Sequence, residues 1–582
     1  MSYVQPSNNN FSEYINKKYK KYTIPKKKKS IKEICFPKEF ELQIPQEFLS
    51  EYINPKTPYK GLLIFHRIGA GKTCTAISIA EKWKDKRKII VVVPASLIGN
   101  FRTELRSQCA KNSYLTNEER KKLKIYHPSS VEYKQIIKKS DERIDEYYNI
   151  YSYNKFVEKA ENNEINLRNS LLIVDEIQNM VSEEGKYYTV LYDIIHNSPN
   201  NLRVILLSAT PMFDKPVEIA LTMNLLKIPF EFPTGREFEL LFTQKVVNNK
   251  TGEVYYKAKN LDIFKERIKG YVSYYRGAPP YAFPRSIIKY VKCEMSEFQY
   301  NSYVRVLKSE EKKNNMELRK LNKISKGDII NLPNDFYLGT RFISNVAFPN
   351  KMSGEAGFES FKGRYLKLDN LEKYSIKFYK IIKKINNASG PVFVYSNFKE
   401  FGGLKSFIRA LEGQNFKNYT KFGEGRKRFA IWSSDEKNDI REEIKAVFNQ
   451  STNYNGSKLK VIAGSPSTKE GLSFKNVQQV HILEPYWNYS RMLQIIGRAV
   501  RYCSHKELPE EKREVKVYIY LATPPANIQN KTIDQWIMNL ALKKNRLIQE
   551  FELALKEVAV DCTLFKHGNV YKEFNEPDIK CE

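Results

Sequence analysis

Short runs of apolar, mostly β-branched residues recur along the first half of the chain, separated by longer amphipathic or turn-rich stretches. These runs lie at residues 61–65, 89–93, 171–174 and 204–207. Strands that are buried on both faces of a parallel sheet form continuous apolar runs, whereas half-exposed strands alternate between apolar and polar positions. The pattern therefore predicts a parallel α/β sheet in this half of the chain.

The same pattern returns in the second half and predicts a second α/β lobe. Its apolar runs lie at residues 391–395, 459–463, 480–483 and 515–521. Beyond Pro524 and Pro525, apolar residues at helical spacing over residues 532–558 predict a terminal helical cap. The predicted fold class is α/β, with two tandem parallel-sheet lobes and a helical C-terminal extension.

Two segments outside the lobes differ in composition. Residues 231–365 are charged, aromatic and poor in strand signals, with a helix predicted over residues 296–325, and are interpreted as an insertion or bridge. Residues 17–29 contain eight lysines and no acidic residue, which is typical of a mobile basic arm, with a plain solvated terminus as the alternative. The predicted boundaries are a basic arm at 1–40, a first lobe at 41–230, an insertion at 231–365, a second lobe at 366–525 and a C-terminal extension at 526–582.

The composition indicates a folded, strongly basic protein. Of 582 residues, 97 are Lys or Arg and 66 are Asp or Glu, which gives a formal charge of +31. With 41% hydrophobic residues, the chain is too apolar for intrinsic disorder. A positive field of this size attracts polyanions, because neutralised phosphates release their counterions. Nucleic acid is the expected partner, although an AT-rich genome would also enrich Lys, Asn, Ile and Tyr.

Neither a membrane segment nor a disulfide framework is indicated. The start of the chain is polar, and the longest apolar stretch, residues 88–101, is interrupted by Pro94 and Gly99. A spanning helix needs about 20 apolar residues, so the expected location is intracellular and soluble, without a membrane partner. The seven cysteines include no Cys-x-x-Cys pair and are odd in number, which predicts reduced thiols instead of disulfides or a zinc ribbon.

A glycine-rich loop follows the first apolar run and precedes a helical stretch. Its residues are Gly69-Ala70-Gly71-Lys72-Thr73. In such a loop the backbone N–H groups surround phosphate oxygens, Lys72 reaches the β- and γ-phosphates, and the Thr73 hydroxyl binds Mg²⁺. The strict pattern has Gly where this chain has His66, so a chance Gly-Lys-Thr sequence is the alternative.

Two acidic residues, Asp175 and Glu176, follow the third apolar run. At the end of a buried strand, Asp175 can hold the Mg²⁺ shell and Glu176 can orient and deprotonate the attacking water. The alternative is an ordinary surface turn. Because the pair follows the glycine-rich loop within the same predicted lobe, the catalytic interpretation is favoured.

Two further strings complete the set of candidate residues. Ser208 and Thr210 follow the fourth apolar run and can hydrogen-bond towards the acidic pair. Gln494, Arg498 and Arg501 are spaced by four and three residues, which places them on one face of a predicted helix. Two guanidinium groups presented together suit the growing charge of a γ-phosphate in its transition state. A solvated basic helix face is the alternative.

In this order, the four strings resemble motifs I, II, III and VI of superfamily 2 helicases and translocases. The resemblance covers residues 41–525, with motifs Ia, IV and V resembled by residues 91–97, 393–398 and 464–474. Residues 63–73, 484–488 and 501–505 are closest to the helicase-like ATPases of large nucleocytoplasmic DNA viruses, which include nucleoside triphosphatase I and the small subunit of the poxvirus early transcription factor. Gln178 stands where many relatives have His or Asp.

The resemblance implies two RecA-like lobes that hydrolyse ATP with Mg²⁺ between them, stimulated by nucleic acid. The implied nucleotide contacts are Gln46, His66, Arg67, Ile68, Gly69, Ala70, Gly71, Lys72, Thr73 and Gly471, with Thr73 and Asp175 on the metal. The implied catalytic residues are Glu176, Gln494, Arg498 and Arg501; coupling falls to Gln178, Ser208, Ala209 and Thr210, and nucleic-acid contacts to Ser96, Ser396 and Thr468.

The resemblance also implies a setting and partners. DNA is favoured as the track, with RNA as the alternative, and RNA polymerase or other viral transcription subunits are the implied protein partners. The host cytoplasm or the virion is then the expected location. Rival interpretations are a non-catalytic DNA-binding scaffold of a transcription complex, a P-loop enzyme with a small substrate, and the motor subunit of a restriction-type nuclease. The intact set of Lys72, Asp175, Glu176, Arg498 and Arg501 argues against the scaffold.

Overall fold

The described part of the chain folds into two compact units. The computed structural model describes residues 3–26, 29–38, 40–67, 69–127, 130–249, 254–314, 317–318, 332–333, 335–433, 435–466, 473–574 and 576–582. Unit 1 comprises Met1–Lys245, Tyr256–Pro280 and Leu547–Glu582, and unit 2 comprises Val246–Tyr255 and Tyr281–Arg546. The C-terminal residues therefore belong to the same unit as the glycine-rich loop.

The strands of the described residues are numbered in chain order. They are β1 Gly61–His66, β2 Lys88–Val93, β3 Tyr148–Ser152, β4 Ser170–Val174, β5 Arg203–Ser208, β6 Thr243–Val247, β7 Val254–Ala258, β8 Val272–Tyr275, β9 Arg285–Glu294, β10 Val392–Tyr395, β11 Lys417–Asn418, β12 Arg428–Trp432, β13 Val461–Gly464, β14 Gln479–Ile482 and β15 Glu514–Thr523. All eight apolar runs of the sequence coincide with a strand, namely β1, β2, β4, β5, β10, β13, β14 or β15.

The α-helices of the described residues are numbered in the same way. They are α1 Phe11–Lys18, α2 Ile31–Cys35, α3 Ile44–Tyr52, α4 Lys72–Trp83, α5 Ile98–Leu105, α6 Asn117–Ile125, α7 Val131–Asp145, α8 Tyr153–Glu161, α9 Lys186–His196, α10 Val217–Asn224, α11 Gly235–Phe242, α12 Leu261–Ile268, α13 Glu297–Asn314, α14 Leu338–Asn345, α15 Gly354–Ser360, α16 Leu368–Tyr374, α17 Ile376–Asn386, α18 Leu404–Glu412, α19 Tyr419–Phe422, α20 Asn438–Phe448, α21 Tyr489–Ile496, α22 Ile533–Glu557 and α23 Lys566–Asn569.

Each unit is built on a parallel sheet. The sheet of unit 1 has the strand order β3-β2-β4-β5-β1-β8, and that of unit 2 has the order β11-β12-β13-β10-β14-β15-β9. Neighbouring strands run parallel in both sheets. All six residues of β1 are buried, as expected for a strand covered on both faces. With the long helix α22 near the C-terminus, the predicted fold class is confirmed.

The sequence analysis missed strands at the edges of the sheets. Residues 231–365 contain β8, which ends the first sheet, and β9, which pairs with β15 along its whole length. The expectation that this segment has few strands is therefore wrong. An edge strand needs one buried face at most and is commonly charged; β9 has Cys293 as its one buried residue and lacks a continuous apolar run. The pair β6 and β7 forms a separate two-stranded sheet.

The N-terminal segment is packed against unit 1 and is not a mobile arm over residues 3–26. Phe11 and Ile15 of α1 are 1% and 0% exposed. The Tyr59 hydroxyl donates to the Val4 carbonyl at 3.1 Å. Lysines in this segment lie on the outer face of short helices whose apolar residues face the core, a pattern that the lysine count concealed.

Several cysteines form disulfides, so the prediction of reduced thiols is wrong. Cys74 is bonded to Cys109 and Cys562 to Cys581, across 35 and 19 residues of sequence, whereas Cys293 is a buried thiol. Spacing rules detect only local pairs, and tertiary packing brings these distant residues together.

As for membranes, every helix of the described residues is too short or too polar to serve as a span.

A buried ion pair and its hydrogen bonds join four elements of unit 2. Lys377 Nζ of α17 lies 2.6 Å from Asp534 Oδ2 of α22, and the two side chains are 0% and 1% exposed. Asp534 also accepts from the Ala522 N–H of β15 at 2.9 Å, and Lys377 donates to Asn345 Oδ1 at 2.9 Å. Both charges therefore have the additional hydrogen bonds that a buried pair requires.

We expect Asp534→Ala to destabilise unit 2 by about 3–5 kcal/mol, because the ammonium of Lys377 would remain buried without its charge partner. Chemical denaturation followed by tryptophan fluorescence measures the change, since Trp536 lies beside the pair in sequence. Asp435→Ala, which breaks the exposed Lys399–Asp435 pair, is the matched control and should change stability by less than about 1 kcal/mol. Equal effects of the two variants would contradict the assignment.

Candidate active site

The glycine-rich loop connects the end of β1 to the start of α4, with Ile68 outside the described residues. Gly69 and Gly71 have φ of 85° and 68°, a left-handed region that favours glycine. A Cβ on Gly71 would lie 2.6 Å from Gln46 Nε2. Conformation therefore favours glycine at both positions, and at Gly71 the lack of space also requires it.

Gln46 contacts the loop from α3. It is 3% exposed, and its Nε2 donates to the Gly71 carbonyl at 3.3 Å. Its Oε1 accepts from the Gln43 N–H at 2.9 Å, which fixes the orientation of the amide. The structure thus places Gln46 beside the backbone of the loop.

The acidic pair lies at the carboxyl end of β4. Lys72 Nζ is 3.8 Å from Glu176 Oε1, and the Glu176 N–H donates to Asp175 Oδ1 at 2.9 Å. Burial and the neighbouring Glu176 raise the pKa of Asp175, while the charge of Lys72 opposes this. Glu176 has φ 50° and ψ 49°, an unusual backbone conformation for a residue other than glycine. The glycine-rich loop and the acidic pair are therefore adjacent, as expected if the two motifs belong to the same site.

Tyr153 supports this strained strand end and was not identified from the sequence. Its hydroxyl lies 2.6 Å from the Asp175 carbonyl oxygen and 3.0 Å from that of Glu176, and shares its single proton between them. Tyr153 is the first residue of α8, directly after the edge strand β3. A lone tyrosine following an unrecognised strand gives no sequence signal, so only the parallel strand order β3-β2-β4 reveals its role.

A continuous hydrogen-bond chain links the acidic pair to the end of β5. Gln178 Nε2 donates to Glu176 Oε2 at 2.6 Å, and Ser208 Oγ donates to Gln178 Oε1 at 2.6 Å. The Thr210 N–H in turn donates to Ser208 Oγ at 3.0 Å, with Ala209 between them. Glu176 is thus held between Lys72 and Gln178, and any movement of the 208–210 segment can reach its carboxylate.

The two residues that lead into the loop are held by other parts of unit 1. His66 is fully buried and its Nε2 lies 2.8 Å from Ser273 Oγ of β8. Arg67 Nη2 forms an ion pair with Glu552 Oε2 of α22 at 2.9 Å. Both therefore anchor the base of the loop, and Ala70 at its centre is 0% exposed.

The oxygen ligands at this site fit Mg²⁺. The donor set predicted for the metal is the hydroxyl of half-buried Thr73 and the carboxylate of Asp175. Mg²⁺ prefers hard oxygen ligands and keeps several waters, so one carboxylate and one hydroxyl beside a nucleotide suffice. Burial raises the pKa of Asp175, and a bound cation would lower it again by stabilising the ionised carboxylate.

The predicted arginines of unit 2 do not lie on a helix. Helix α21 contains Gln494 but ends at Ile496, with Gly497 at its C-cap. Arg498 and Arg501 follow in a turn, where the Arg498 carbonyl accepts from the Phe474 N–H at 2.9 Å. The prediction that Gln494, Arg498 and Arg501 share one helix face is therefore wrong. Glycine has a low helix propensity, so Gly497 disfavours continuation of the helix to Arg498 and Arg501.

The predicted nucleic-acid contacts differ in exposure. Ser96 is exposed in a turn after β2, whereas Ser396 is fully buried after β10 and donates to Glu484 at 3.0 Å. Glu484 also accepts from the Asn397 N–H and from Asn345 Nδ2, and burial raises its pKa. The segment after β10 is thus shaped by a buried carboxylate. Thr468 and Gly471 lie outside the described residues.

A cavity of about 400 Å³ lies above this network in unit 2. Its aromatic and cationic lining includes Phe342, Phe398, Phe401, Tyr486, Trp487, Arg341, Lys399 and Arg491. The Arg341 guanidinium stacks between Phe398 and Trp487 at 4.7 and 5.0 Å, and that of Arg491 lies 4.1 Å from the Tyr486 ring. Aromatic faces beside cations are a chemistry suited to bases and phosphates.

Comparisons with known proteins agree with this geometry. Residues 16–337 match the SNF2-related domain, and residues 376–503 match the helicase conserved C-terminal domain. The R563 protein of Acanthamoeba polyphaga mimivirus, named as a candidate ATP-dependent RNA helicase, is 55% identical over 100% of this chain and 99% of its own length. A protein of African swine fever virus named as a homologue of termination factor NPH-I is 26% identical over 86% of this chain and 76% of its own.

We expect Tyr153→Phe to lower the rate of ATP hydrolysis about tenfold, because two carbonyl groups at the strained strand end lose their donor. Steady-state hydrolysis with the folded variant measures the effect. Tyr192→Phe, which removes a surface hydrogen bond to Glu231 in the same unit, is the control and should leave the rate unchanged. A rate for Tyr153→Phe equal to that of the control would show that the strand end needs no such support.

Proposed function

Since this chain belongs to the SNF2-related helicases of superfamily 2, in the group found in large DNA viruses, we propose the glycine-rich loop and the acidic pair of unit 1 as its hydrolytic centre. The chain is a nucleic-acid-dependent ATPase of the helicase or translocase type. One observation supports the assignment above all others. Lys72, Glu176, Gln178 and Ser208, which come from three separate sequence strings, form one connected set of contacts.

In the proposed site each residue has one task. Lys72 and the N–H groups of the loop bind the β- and γ-phosphates, and Thr73 and Asp175 would hold Mg²⁺, which neutralises phosphate charge when bound. Glu176 accepts a proton from the attacking water, since its carboxylate is held in place by Lys72 and Gln178. Gln46 contacts the loop from the side of α3.

The remaining assignments extend this proposal beyond the hydrolytic centre. Gln178, Ser208 and Thr210 form the path by which the state of the nucleotide is passed on. Arg498 and Arg501 are the proposed partners of the γ-phosphate, and burial lowers the pKa of Arg501 without removing its charge at neutral pH. Gln494 at the end of α21 is the proposed sensor of that contact.

We further propose DNA as the track and viral transcription as the setting. The formal charge of +31 and the cation-lined cavity of unit 2 support binding to phosphates and unstacked bases. The name of the African swine fever virus relative, a homologue of termination factor NPH-I, supports a role in viral transcription. The proposed partners are RNA polymerase or other viral transcription subunits, and the proposed location is the host cytoplasm or the virion. The name of the mimivirus relative favours RNA instead, so both polymers enter the test.

We expect Glu176→Gln to lower kcat for ATP at least about 100-fold, because the water loses its proton acceptor while the phosphate contacts remain. Fluorescent-nucleotide binding and steady-state hydrolysis, measured side by side, separate the two effects. Exposed Glu184 in the same unit provides the control Glu184→Gln. Hydrolysis by Glu176→Gln near the parent rate would remove Glu176 from its proposed role.

We expect DNA to stimulate ATP hydrolysis by the whole protein more than RNA does, and duplex and single-stranded DNA are tested separately. The measurement is steady-state hydrolysis with each polymer at several salt concentrations, with Lys72→Ala as the blank. Because phosphate contacts release counterions, stimulation should weaken as salt rises. Stimulation by RNA alone would overturn the choice of DNA, and binding without stimulation by any polymer would favour a scaffold function.

A further inference from the structure

The C-terminal residues of the chain form part of the wall behind the glycine-rich loop. After α22, the Val560 N–H donates to the Val272 carbonyl of β8, and the Ile24 N–H donates to the Leu564 carbonyl, both at 2.9 Å. Phe565 packs against Phe48 of α3 with ring centroids 5.6 Å apart. Residues 559–565 therefore cover the edge of the sheet at β8, next to the strand that leads into the loop.

A buried hydrogen-bond chain runs from this segment to the loop. Asp561 accepts from the Ser273 hydroxyl through Oδ2 and from the Tyr274 N–H through Oδ1, the latter at 3.0 Å. Ser273 Oγ lies 2.8 Å from His66 Nε2, and His66 is the last residue of β1. His66, Ser273 and Asp561 are all 0% exposed. The carboxylate thus lies two hydrogen bonds from His66, the strand residue that leads into the loop.

The direction of the hydrogen bonds fixes the tautomer of the imidazole. When Asp561 is ionised, it accepts the single hydroxyl proton of Ser273, so His66 carries its proton on Nε2 and presents a lone pair at Nδ1. Burial, and to a lesser extent the charge of Lys72, lowers the pKa of His66 to about 3, so the ring is neutral. A lone pair at Nδ1 is compatible with a nearby ammonium group, whereas an N–H is not.

Burying an acid without an ion-pair partner costs desolvation free energy, so we expect Asp561 to do something that an apolar residue could not. Burial raises the pKa of Asp561 to about 7, and the described contacts to its carboxylate come from Ser273 and Tyr274. An apolar side chain of similar size would hold the segment against β8 at less cost in desolvation. What an apolar side chain cannot do is orient the Ser273 hydroxyl.

We propose that Asp561 is a positioning residue for ATP binding, which acts through Ser273 on the tautomer and orientation of His66 at the base of the glycine-rich loop. This inference rests on the proposed hydrolytic centre and extends it to a residue almost 500 positions away in sequence. Arg67, which follows His66 and leads into the loop, forms an ion pair with Glu552 of the same C-terminal region. The C-terminal region therefore sets the geometry of the loop from two sides.

The test uses the full-length protein and the isosteric variant Asp561→Asn. The Asn amide keeps its acceptor for the Tyr274 N–H but presents a donor to Ser273, which reverses the chain and places a proton on His66 Nδ1. We expect the KM for ATP to rise about tenfold with kcat changed by less than about threefold, as for the loss of one charge-assisted hydrogen bond. Fluorescent-ATP binding should weaken by the same factor.

A second variant and a double variant show whether the effect passes through Ser273. Ser273→Ala breaks the chain while Asp561 keeps its bond to the Tyr274 N–H, and it also covers the case in which Asp561→Asn fails to fold. If both residues act in one chain, the double variant should have nearly the KM of either single variant. Effects that multiply would mean that the two residues act independently, and would overturn the proposal.

Asn569 provides the matched control. Its side chain is 5% exposed and also ties the C-terminal region to the end of β8, with Nδ2 donating to the Tyr274 carbonyl at 3.1 Å and Oδ1 accepting from the Arg276 N–H at 2.8 Å. It has no bond to Ser273 or His66 among the described contacts. Asn569→Ala should lower the Tm but leave the KM for ATP unchanged. A tenfold rise in its KM would show that general loosening explains the effect and would overturn the proposal.

The parent protein separates failure of this inference from failure of the proposed function. If the parent binds and hydrolyses ATP while Asp561→Asn and Ser273→Ala have the parent KM, the hydrolytic centre stands and the positioning role is wrong. If the parent neither binds nor hydrolyses ATP with any polymer, the proposed centre itself fails, and the inference fails with it.

Discussion

The structure of the site depends on one constraint, namely that the strands of a parallel sheet all end at the same edge. In unit 1 the strand order places β4, β5 and β1 side by side. The carboxyl ends of these strands lead into the acidic pair, the 208–210 segment and the glycine-rich loop. Residues more than 100 positions apart in sequence therefore meet without any specific long-range signal, because backbone pairing alone brings them together.

Backbone conformations at this edge are costly and are supported by buried polar side chains. Gly71 is contacted by Gln46, and the left-handed Glu176 is braced by the Tyr153 hydroxyl. His66 is braced through Ser273 by a carboxylate of the C-terminal region. Each supporting group comes from a different element, so the loop and the acidic pair keep their geometry only in the complete unit 1.

Unit 2 is also stabilised by buried polar side chains with complete hydrogen bonds. Glu484, fully enclosed, accepts hydrogen bonds from the segment after β10 and from Asn345 of α14. The nearby Lys377–Asp534 pair ties α17 to α22. A buried charge is stable only when its hydrogen bonds are complete, so these networks specify one arrangement of the aromatic cavity above them.

The sequence alone determined the two parallel sheets and most of the candidate site. Continuous apolar runs can be buried only in central strands, and the Gly-Lys-Thr, Asp-Glu and Ser-Ala-Thr strings follow such runs directly, so their positions at strand ends could be predicted. The edge strands β8 and β9 and the disulfides could not, because half-exposed or distant partners leave no local pattern. The end of α21 at Ile496 did have a local signal, the glycine at position 497. Tertiary structure alone decided that Tyr153, Ser273 and Asp561 support the site, since hydrogen bonds between residues far apart in sequence exist only once the sheet has formed.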